Sequence, residues 1–410
     1  MAYKVAGIDV HKKVLMVVVL DSSEPDAEPE RRRFGTTSSE LRRLSNWLRE
    51  RGVQQAVMES TAQYWRPVWY ELEPHMHLQL AQAFSNRAPR GRKHDFRDAE
   101  RLVRRLLAGE LILSFVPEPE QRAWRTITRM KVQLTRDKSR LQSQLEGLLE
   151  EMRIKLSSVV SDLLGVSGYR ILRALAQGET DPNKLAALGD DRLRCSEEQL
   201  RDALSGDPKP LHLRLLALYL DRYQMLVEQL AQLDGLIAAA LKPHQEAVMR
   251  LAAVPGFGPD SAQQVIAEVA PDAGTFPSAA HLTSWVGTCP GEESTAEENY
   301  SSRSAKGNKY MRRVLNQAAH AAVKKKGSHF QAVFRRLLPR LGYQAAIWAI
   351  AHRLCRLVWK ILHEGVVYVE HGVELSAKAK RRRTQQLVRT LRKLGYEVNL
   401  KPIAPAFAPA

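Results

Sequence analysis

Cysteine is scarce in this chain of 410 residues: Cys195, Cys289 and Cys355 stand singly along it. That scatter excludes a disulfide framework and a zinc knuckle, and it fits a reducing cytoplasm. No apolar run approaches the roughly 20 residues needed to span a bilayer, so no membrane partner is expected. The amino terminus enters a strand-like run at once, without the charged-then-apolar leader of a secretion signal. Acidic residues are outnumbered: 62 Lys and Arg face 45 Asp and Glu, for a formal net charge of +17 and a pI near 9.9. Such an excess implies nucleic acid or another anionic surface as partner. Apolar content of 44% and charged content of 26% are otherwise ordinary for a globular protein of two or three domains.

Among the few acids, four are placed unusually. Asp9 interrupts the apolar run Val5-Ala6-Gly7-Ile8-Asp9-Val10, which reads as a buried strand. A carboxylate there costs several kcal/mol unless it is paired or binds metal. Glu59 ends a second strand-like run that begins at Ala56, and Asp95 and Asp98 sit three apart at the start of a helical stretch, on one face. Acids at the ends of two core strands plus an acidic pair on a later helix suit two hard divalent cations. Singly, each has an ordinary explanation: Asp95 can cap its helix, and Asp98 can pair with Arg101 or Arg105. Arg87, Arg90, Arg92 and Lys93 immediately precede the pair, as a phosphodiester substrate would require.

Periodicity divides the chain into four. Residues 1–115 read as α/β: a hairpin ending with Val14 to Leu20, a helix over Leu41 to Leu48, a strand over Ala56 to Glu59, a helix from Trp65 to Leu72, a strand from Leu78 to Phe84 and a helix from Arg97 to Leu107. Residues 116–245 are predicted to be long helices. Leu134, Leu141 and Leu148 recur at sevens with Leu145 and Met152 on the other seam, and Leu216, Tyr219, Tyr223, Leu226, Leu230, Leu233 and Ile237 step by three and four. A polar segment around 165–210 joins them, giving either a helical hairpin within the chain or a dimerising coiled coil. Residues 246–365 form a compact, mainly α domain, and 366–410 a basic tail whose Pro- and Ala-rich end is expected to fray. Trp65, Trp69, Trp348 and Trp359 fall at helical spacing and read as core. His75 and His77 lack a further ligand nearby, so no transition metal is assigned.

Gly7-Ile8-Asp9-Val10-His11-Lys12, Met58-Glu59-Ser60-Thr61 and Lys93-His94-Asp95-Phe96-Arg97-Asp98-Ala99 resemble the DEDD-type transposases of bacterial insertion sequences. The amino-terminal domain of that family is similar to the Holliday-junction resolvases of the RNase H fold. The resemblance places the metal-binding acids at Asp9, Glu59, Asp95 and Asp98, with Mg2+ as the expected ion. In the second half, Leu251 to Pro259 followed by Ala262 resembles a helix-hairpin-helix turn, whose Gly256 and Gly258 would let backbone approach a phosphate. Trp285 to Gly291 and Ser302 to Lys309 resemble the carboxy-terminal domain of the same transposases, so the likeness covers most of the chain.

The resemblance further implies a serine nucleophile a few residues after the Cys-Pro-Gly turn. Here Thr295 occupies the ungapped position and Ser294 is its neighbour. The extra methyl of threonine restricts χ1 and crowds an in-line displacement, which favours Ser294. Lys306, Lys309, Arg312 and Arg313 follow at a helix start and are read as phosphate contacts beside the nucleophile, or as a solvated basic face. The expectation is a DNA transposase of the bacterial cytoplasm and nucleoid, assembled as a dimer or tetramer. Its acids hold Mg2+ at the scissile phosphate while a side-chain hydroxyl attacks it. Some relatives choose their DNA with a structured RNA, which the basic charge accommodates. The competing readings are a resolvase-like nuclease using metal-activated water and a non-catalytic nucleic-acid-binding protein.

Overall fold

The structure, a computed structural model, describes residues 4–23, 28–59, 62–83, 95–289, 293–295, 298–301, 304, 306–370 and 377–400, with only the backbone described at 95, 293–295, 298–301, 377–380, 382 and 383. Its contacts divide the chain into two compact units, Met1–Glu118 and Pro119–Ala410.

The first unit is built on a six-stranded mixed sheet in the order β3-β2-β1-β4-β5-β6. Its strands are β1 (Lys4–Val10), β2 (Val14–Asp21), β3 (Glu30–Gly35), β4 (Val53–Glu59), β5 (His77–Ala81) and β6 (Leu113–Ser114). The first three run antiparallel, β4 lies parallel to β1 and to β5, and β6 returns antiparallel. Helices α1 (Ser38–Glu50), α2 (Trp65–Leu72) and α3 (Asp95–Leu107) complete the unit. Strand alternation sorts the side chains. Ala6, Ile8 and Val10 pack with Leu44, Trp47, Leu48 and Leu72 of α1 and α2, whereas Val5 packs with Val103 of α3 on the other face. This mixed α/β arrangement agrees with an RNase H-like domain. The expected hairpin and helices are present. β3 was not foreseen, because the charged run Glu30-Arg31-Arg32-Arg33 has no apolar alternation: it is an edge strand whose arginines face solvent.

The second unit is helical except for one ribbon. Helices α4 (Pro119–Glu151) and α9 (Pro210–Ala240) pack against each other within the chain, and Leu141, Leu145, Leu148, Leu216, Leu226, Leu233 and Ile237 are all buried. The polar joining segment is itself folded, as α5 (Leu156–Val159), α6 (Val166–Ala176), α7 (Pro182–Ala186) and α8 (Glu197–Leu204). These close over a core of their own with Met152, Ile171, Leu172 and Leu200 at its centre. The larger core gathers α10 (Gln245–Ala252), α11 (Pro259–Val269), α12 (Ala279–Val286), α13 (Lys309–Ala322) and α14 (His329–His363), the last broken at Gly342. Strands β7 (Glu293–Thr295) and β8 (Glu298–Ser301) form an antiparallel ribbon. A basic helix, α15 (Ala377–Lys393), stands in the expected tail; the Pro- and Ala-rich end after residue 400 lies outside the described residues. Trp69 is buried, and Trp65, Trp348 and Trp359 pack half-buried against the cores. None of the helices among the described residues is long and apolar enough to cross a membrane.

Candidate active site

Asp9 and Glu59 come together by strand register. β1 and β4 are parallel neighbours with Ile8 opposite Met58, so the next residue of each, Asp9 and Glu59, stands at the carboxyl end of the sheet on one face. That face belongs to α3. A Cβ on Gly7 would meet the Ala99 carbonyl oxygen at 2.2 Å and Val103 Cγ2 at 2.6 Å, so α3 rests directly on the β1 backbone. Val103 packs on Val5, and Ala99 lies over Gly7. α3 therefore runs antiparallel to β1, and its amino-terminal turn, bearing Asp95 and Asp98, lies toward the Asp9 end. Glu100 anchors the helix, accepting from Arg31 of β3 at 3.2 Å and from Arg104 at 3.0 Å. Those bonds hold the Glu100 carboxyl below its ordinary pKa against the opposing pull of burial.

Two of these acids also have a local partner. Nε2 of His11 lies 3.0 Å from Oδ2 of Asp9, an interaction that sequence reasoning missed, although His11 stands in the quoted motif. Asp98 pairs with Arg101 at 3.2 Å, one of the two partners foreseen. Among the described residues no three His, Cys, Asp or Glu side chains are gathered as a ligand set; the side chain of Asp95 lies outside the description. Carboxylate oxygens at the end of two parallel strands and the start of one helix are hard donors of the kind Mg2+ takes, so the donor chemistry fits the ion. Arg90, Arg92 and Lys93 lie outside the described residues.

In the second unit, Ser294 and Thr295 sit on β7, paired with Asn299 and Glu298. Consecutive strand positions belong to opposite faces, so the two hydroxyl residues are not equivalent. The loop carrying them leaves α12 at Gly287 and returns to α13 at Asn308, and its two ends are clasped. The Asn308 amide donates to the Trp285 carbonyl at 3.3 Å, and a Cβ on Gly307 would strike the Val286 carbonyl oxygen at 2.2 Å. Arg312 donates from Nη1 to the Gly287 carbonyl and, at 3.1 Å, to Ser304 Oγ, and its guanidinium lies 4.4 Å from the Trp348 ring. Arg312, expected on a basic face beside the nucleophile, thus has Nη1 engaged with the loop it closes. Lys306 and Lys309 are exposed, and Arg313 is half-buried.

Behind the clasp lies a buried ion cluster with no signal in the sequence. Glu268, 2% exposed, accepts from Arg129 at 2.7 and 2.8 Å and from Asn308 Nδ2 at 2.8 Å, with Arg125 at 3.5 Å. Asn308 Oδ1 meanwhile caps α13 by accepting from the Tyr310 and Met311 amides. Burial pulls the Arg125 guanidinium down to about 10, with the Glu268 charge opposing.

The expected helix-hairpin-helix turn is a helix pair, α10 and α11, around Gly256 at φ +93. The close approach that needs glycine at 256 is to α13: a Cβ there would lie 2.1 Å from the Ala318 carbonyl oxygen. That glycine serves internal packing. Gly258 caps α11 and donates its amide to Ser261 Oγ at 2.8 Å.

Comparison with known proteins follows the same division. Residues 6–154 match the family model of DEDD transposases of the IS110 type, described as "Transposase", and residues 248–335 match "Transposase IS116/IS110/IS902 family". A "Probable family 20 transposase" of Pseudomonas aeruginosa is 26% identical over 370 residues, covering 88% of this chain and 97% of that protein. Two relatives from Sinorhizobium fredii are likewise named as transposases. One, y4pF/y4sB, is 26% identical over 71% of this chain and 66% of its own length; the other, y4rJ, is 28% identical over 69% of each. Acids brought to one end of an RNase H-like sheet, a hydroxyl-bearing loop in the second unit, and matches to both parts place the chain in the IS110 family of DEDD transposases.

Proposed function

We propose that this transposase cuts and rejoins DNA by phosphoryl exchange, with Asp9, Glu59, Asp95 and Asp98 as its metal-holding acids and Ser294 as its nucleophile. The observation that carries the reading is the register of Asp9 beside Glu59 under the start of α3. Divalent cations bound by these carboxylates would supply charge neutralisation at the scissile phosphate. The chain's own residues do the rest. Asp9 is held by His11, and Glu100 fixes α3, so the acids are placed before substrate arrives. The Ser294 oxygen attacks phosphorus and loses its proton; the departing DNA oxygen takes one up, leaving a serine–phosphate–DNA diester. A hydroxyl of a second DNA strand then attacks the same phosphorus and releases the serine. One diester is exchanged for another at each step, so no nucleotide cofactor is consumed. Thr295 is the alternative hydroxyl.

Lys306 and Lys309, with Arg90, Arg92 and Lys93, are assigned to DNA phosphates; Arg312 Nη1 is bonded to the loop and Gly256 packs on Ala318, so both are given a structural role first. Gly258 keeps its place at the start of α11, where backbone can approach a phosphate. A structured guide RNA is included among the partners on the basis of charge, and sequencing RNA that co-purifies with the protein tests it.

The reading is tested by comparing strand cleavage and binding in Asp9→Asn and Glu59→Gln with DNA spanning the element's own end. Cleavage should fall at least about 100-fold, the scale of removing one element of transition-state charge stabilisation, while salt-sensitive binding persists. Undiminished cleavage in both variants would remove the acids from the chemistry.

A further inference from the structure

β3 brings three consecutive arginines to the sheet edge, and strand alternation gives each a different neighbourhood. Arg31 is paired with Glu100 of α3 at 3.2 Å. Arg32 belongs to the other face, its guanidinium 5.3 Å from the Phe34 ring and 5.7 Å from the Trp47 ring. Arg33 is exposed and, among the described residues, has no hydrogen-bond or ion-pair partner.

A charge on an edge strand can serve simply to discourage edge-to-edge pairing. The register of Arg33 gives it a more specific setting. Asp9 of β1 pairs with Met16 of β2, and Met16 pairs with Arg33. Residues directly opposite one another share a face of the sheet, so Arg33 stands in the row of Asp9 and on its face, with Glu59 on the far side. Arg31, two residues earlier, reaches α3, the helix that covers Gly7, and so fixes the same face independently. Met16, between the two charges, is buried. The row thus carries acids at its centre and an accessible cation at its edge. Two interstrand spacings separate Arg33 from Asp9, about 10 Å, roughly three steps of duplex rise at about 3.4 Å each. At the same end, the Thr36 hydroxyl donates to the Lys12 carbonyl at 3.0 Å and ties the end of β3 to the β1–β2 turn, where Lys12 and Lys13 are exposed. An anionic strand approaching a cluster of acids is steered by cations beside that cluster, and a guanidinium matches phosphate geometry.

We propose that Arg33 binds a backbone phosphate of the DNA strand that is cut, within about three nucleotides of the scissile phosphate, and so sets that strand across the acids from the β3 edge. The contact rests on the reading of Asp9 and Glu59 as acids of the cutting site and extends it with a substrate residue on a strand that no motif had implicated.

The full-length protein is titrated with labelled DNA spanning the element's own end, at several salt concentrations and without divalent cation, so that binding alone is read. Arg33→Gln should make the slope of log Kd against log salt shallower by about 1, the loss of one phosphate contact. Arg33→Lys, which keeps the charge, should restore it. Arg32→Gln removes the same charge from the opposite face and should keep the wild-type slope. The contact is then located by replacing one phosphate at a time with an uncharged methylphosphonate along the strand that is cut. Wild-type protein should lose affinity at a linkage beside the cut to which Arg33→Gln is indifferent. An unchanged slope in Arg33→Gln, an equal fall in Arg32→Gln, or the same sensitivity to every linkage in Arg33→Gln as in wild type would overturn the contact. Asp9→Asn is assayed for cleavage alongside. Cleavage retained there sinks the acid site itself, whereas a wild-type slope in Arg33→Gln with cleavage lost in Asp9→Asn sinks only the Arg33 contact.

Discussion

Asp9 and Glu59 are neighbours because β1 and β4 are parallel and in register, not because they are close in sequence: Ile8 faces Met58, and the two acids come next. The full acidic set depends, besides, on whatever holds the third acidic element, α3, over those two central strands.

Gly7 is the contact that sets it. Gly7→Ala should force α3 away from β1, because the added carbon would sit 2.2 Å from the Ala99 carbonyl. Overpacking of this kind costs about 1–3 kcal/mol. The expected outcome is a lower melting temperature together with a loss of cleavage larger than the loss of fold, since Asp95 and Asp98 move with the helix. A variant with wild-type melting and cleavage would show that α3 does not rest there.

Glu268 makes a second prediction, in the other unit. Removing the carboxylate leaves the buried Arg125 and the half-buried Arg129 without their counter-charge and Asn308 Nδ2 without its acceptor. Glu268→Ala should lose about 3–5 kcal/mol in chemical denaturation, the usual cost of breaking one side of a buried pair. Glu268→Gln, which can still accept a hydrogen bond, should lose less.

Arg312 distinguishes architecture from binding. Arg312→Gln should reduce stability by about 1–3 kcal/mol, the scale of losing hydrogen bonds made by a charged group. It should leave the salt dependence of DNA binding at the wild-type slope, since Nη1 is bonded to Gly287 and Ser304 and the guanidinium lies against Trp348. A fall in that slope would return Arg312 to the phosphate-binding set.

His352 gives a pH dependence. Burial, and then Arg356, lowers its pKa from the ordinary 6.5, with a backbone hydrogen bond to Thr288 opposing. The unfolded chain thus binds the proton more readily than the folded one. Stability from this group is complete above about 6.5 and is lost as pH falls from there through the lower, folded value. Melting measured from neutral to mildly acidic pH should decline more steeply in the wild type than in His352→Gln. Equal slopes would mean that His352 is free to protonate in the folded protein.

Much of the amino-terminal unit was legible because its strands are apolar and its helices amphipathic; Trp65–Leu72 was read with its observed bounds. Asp9 stood out because an acid inside Val5–Val10 conflicts with burial. What escaped notice was held by tertiary contact rather than pattern. β3 is three arginines wide with no alternating apolar face, and β7 is too short to show a period. Helices α5, α7 and α8 are brief, and the core they share with α6 is completed by residues of α4 and α9. The contacts of Gly256 with Ala318 and of Arg312 with Gly287 span 62 and 25 residues, a separation no local motif encodes.

The central claim is a covalent exchange at a side-chain hydroxyl, and a denaturing gel of the protein with end-labelled DNA in Mg2+ addresses it directly, followed by mass spectrometry of the labelled peptide. The expected result is a protein–DNA adduct mapped to Ser294, abolished in Ser294→Ala and in Asp9→Asn and unaffected by Thr295→Ala. Cut DNA with no adduct at any residue, in protein that retains all four acids, would contradict it.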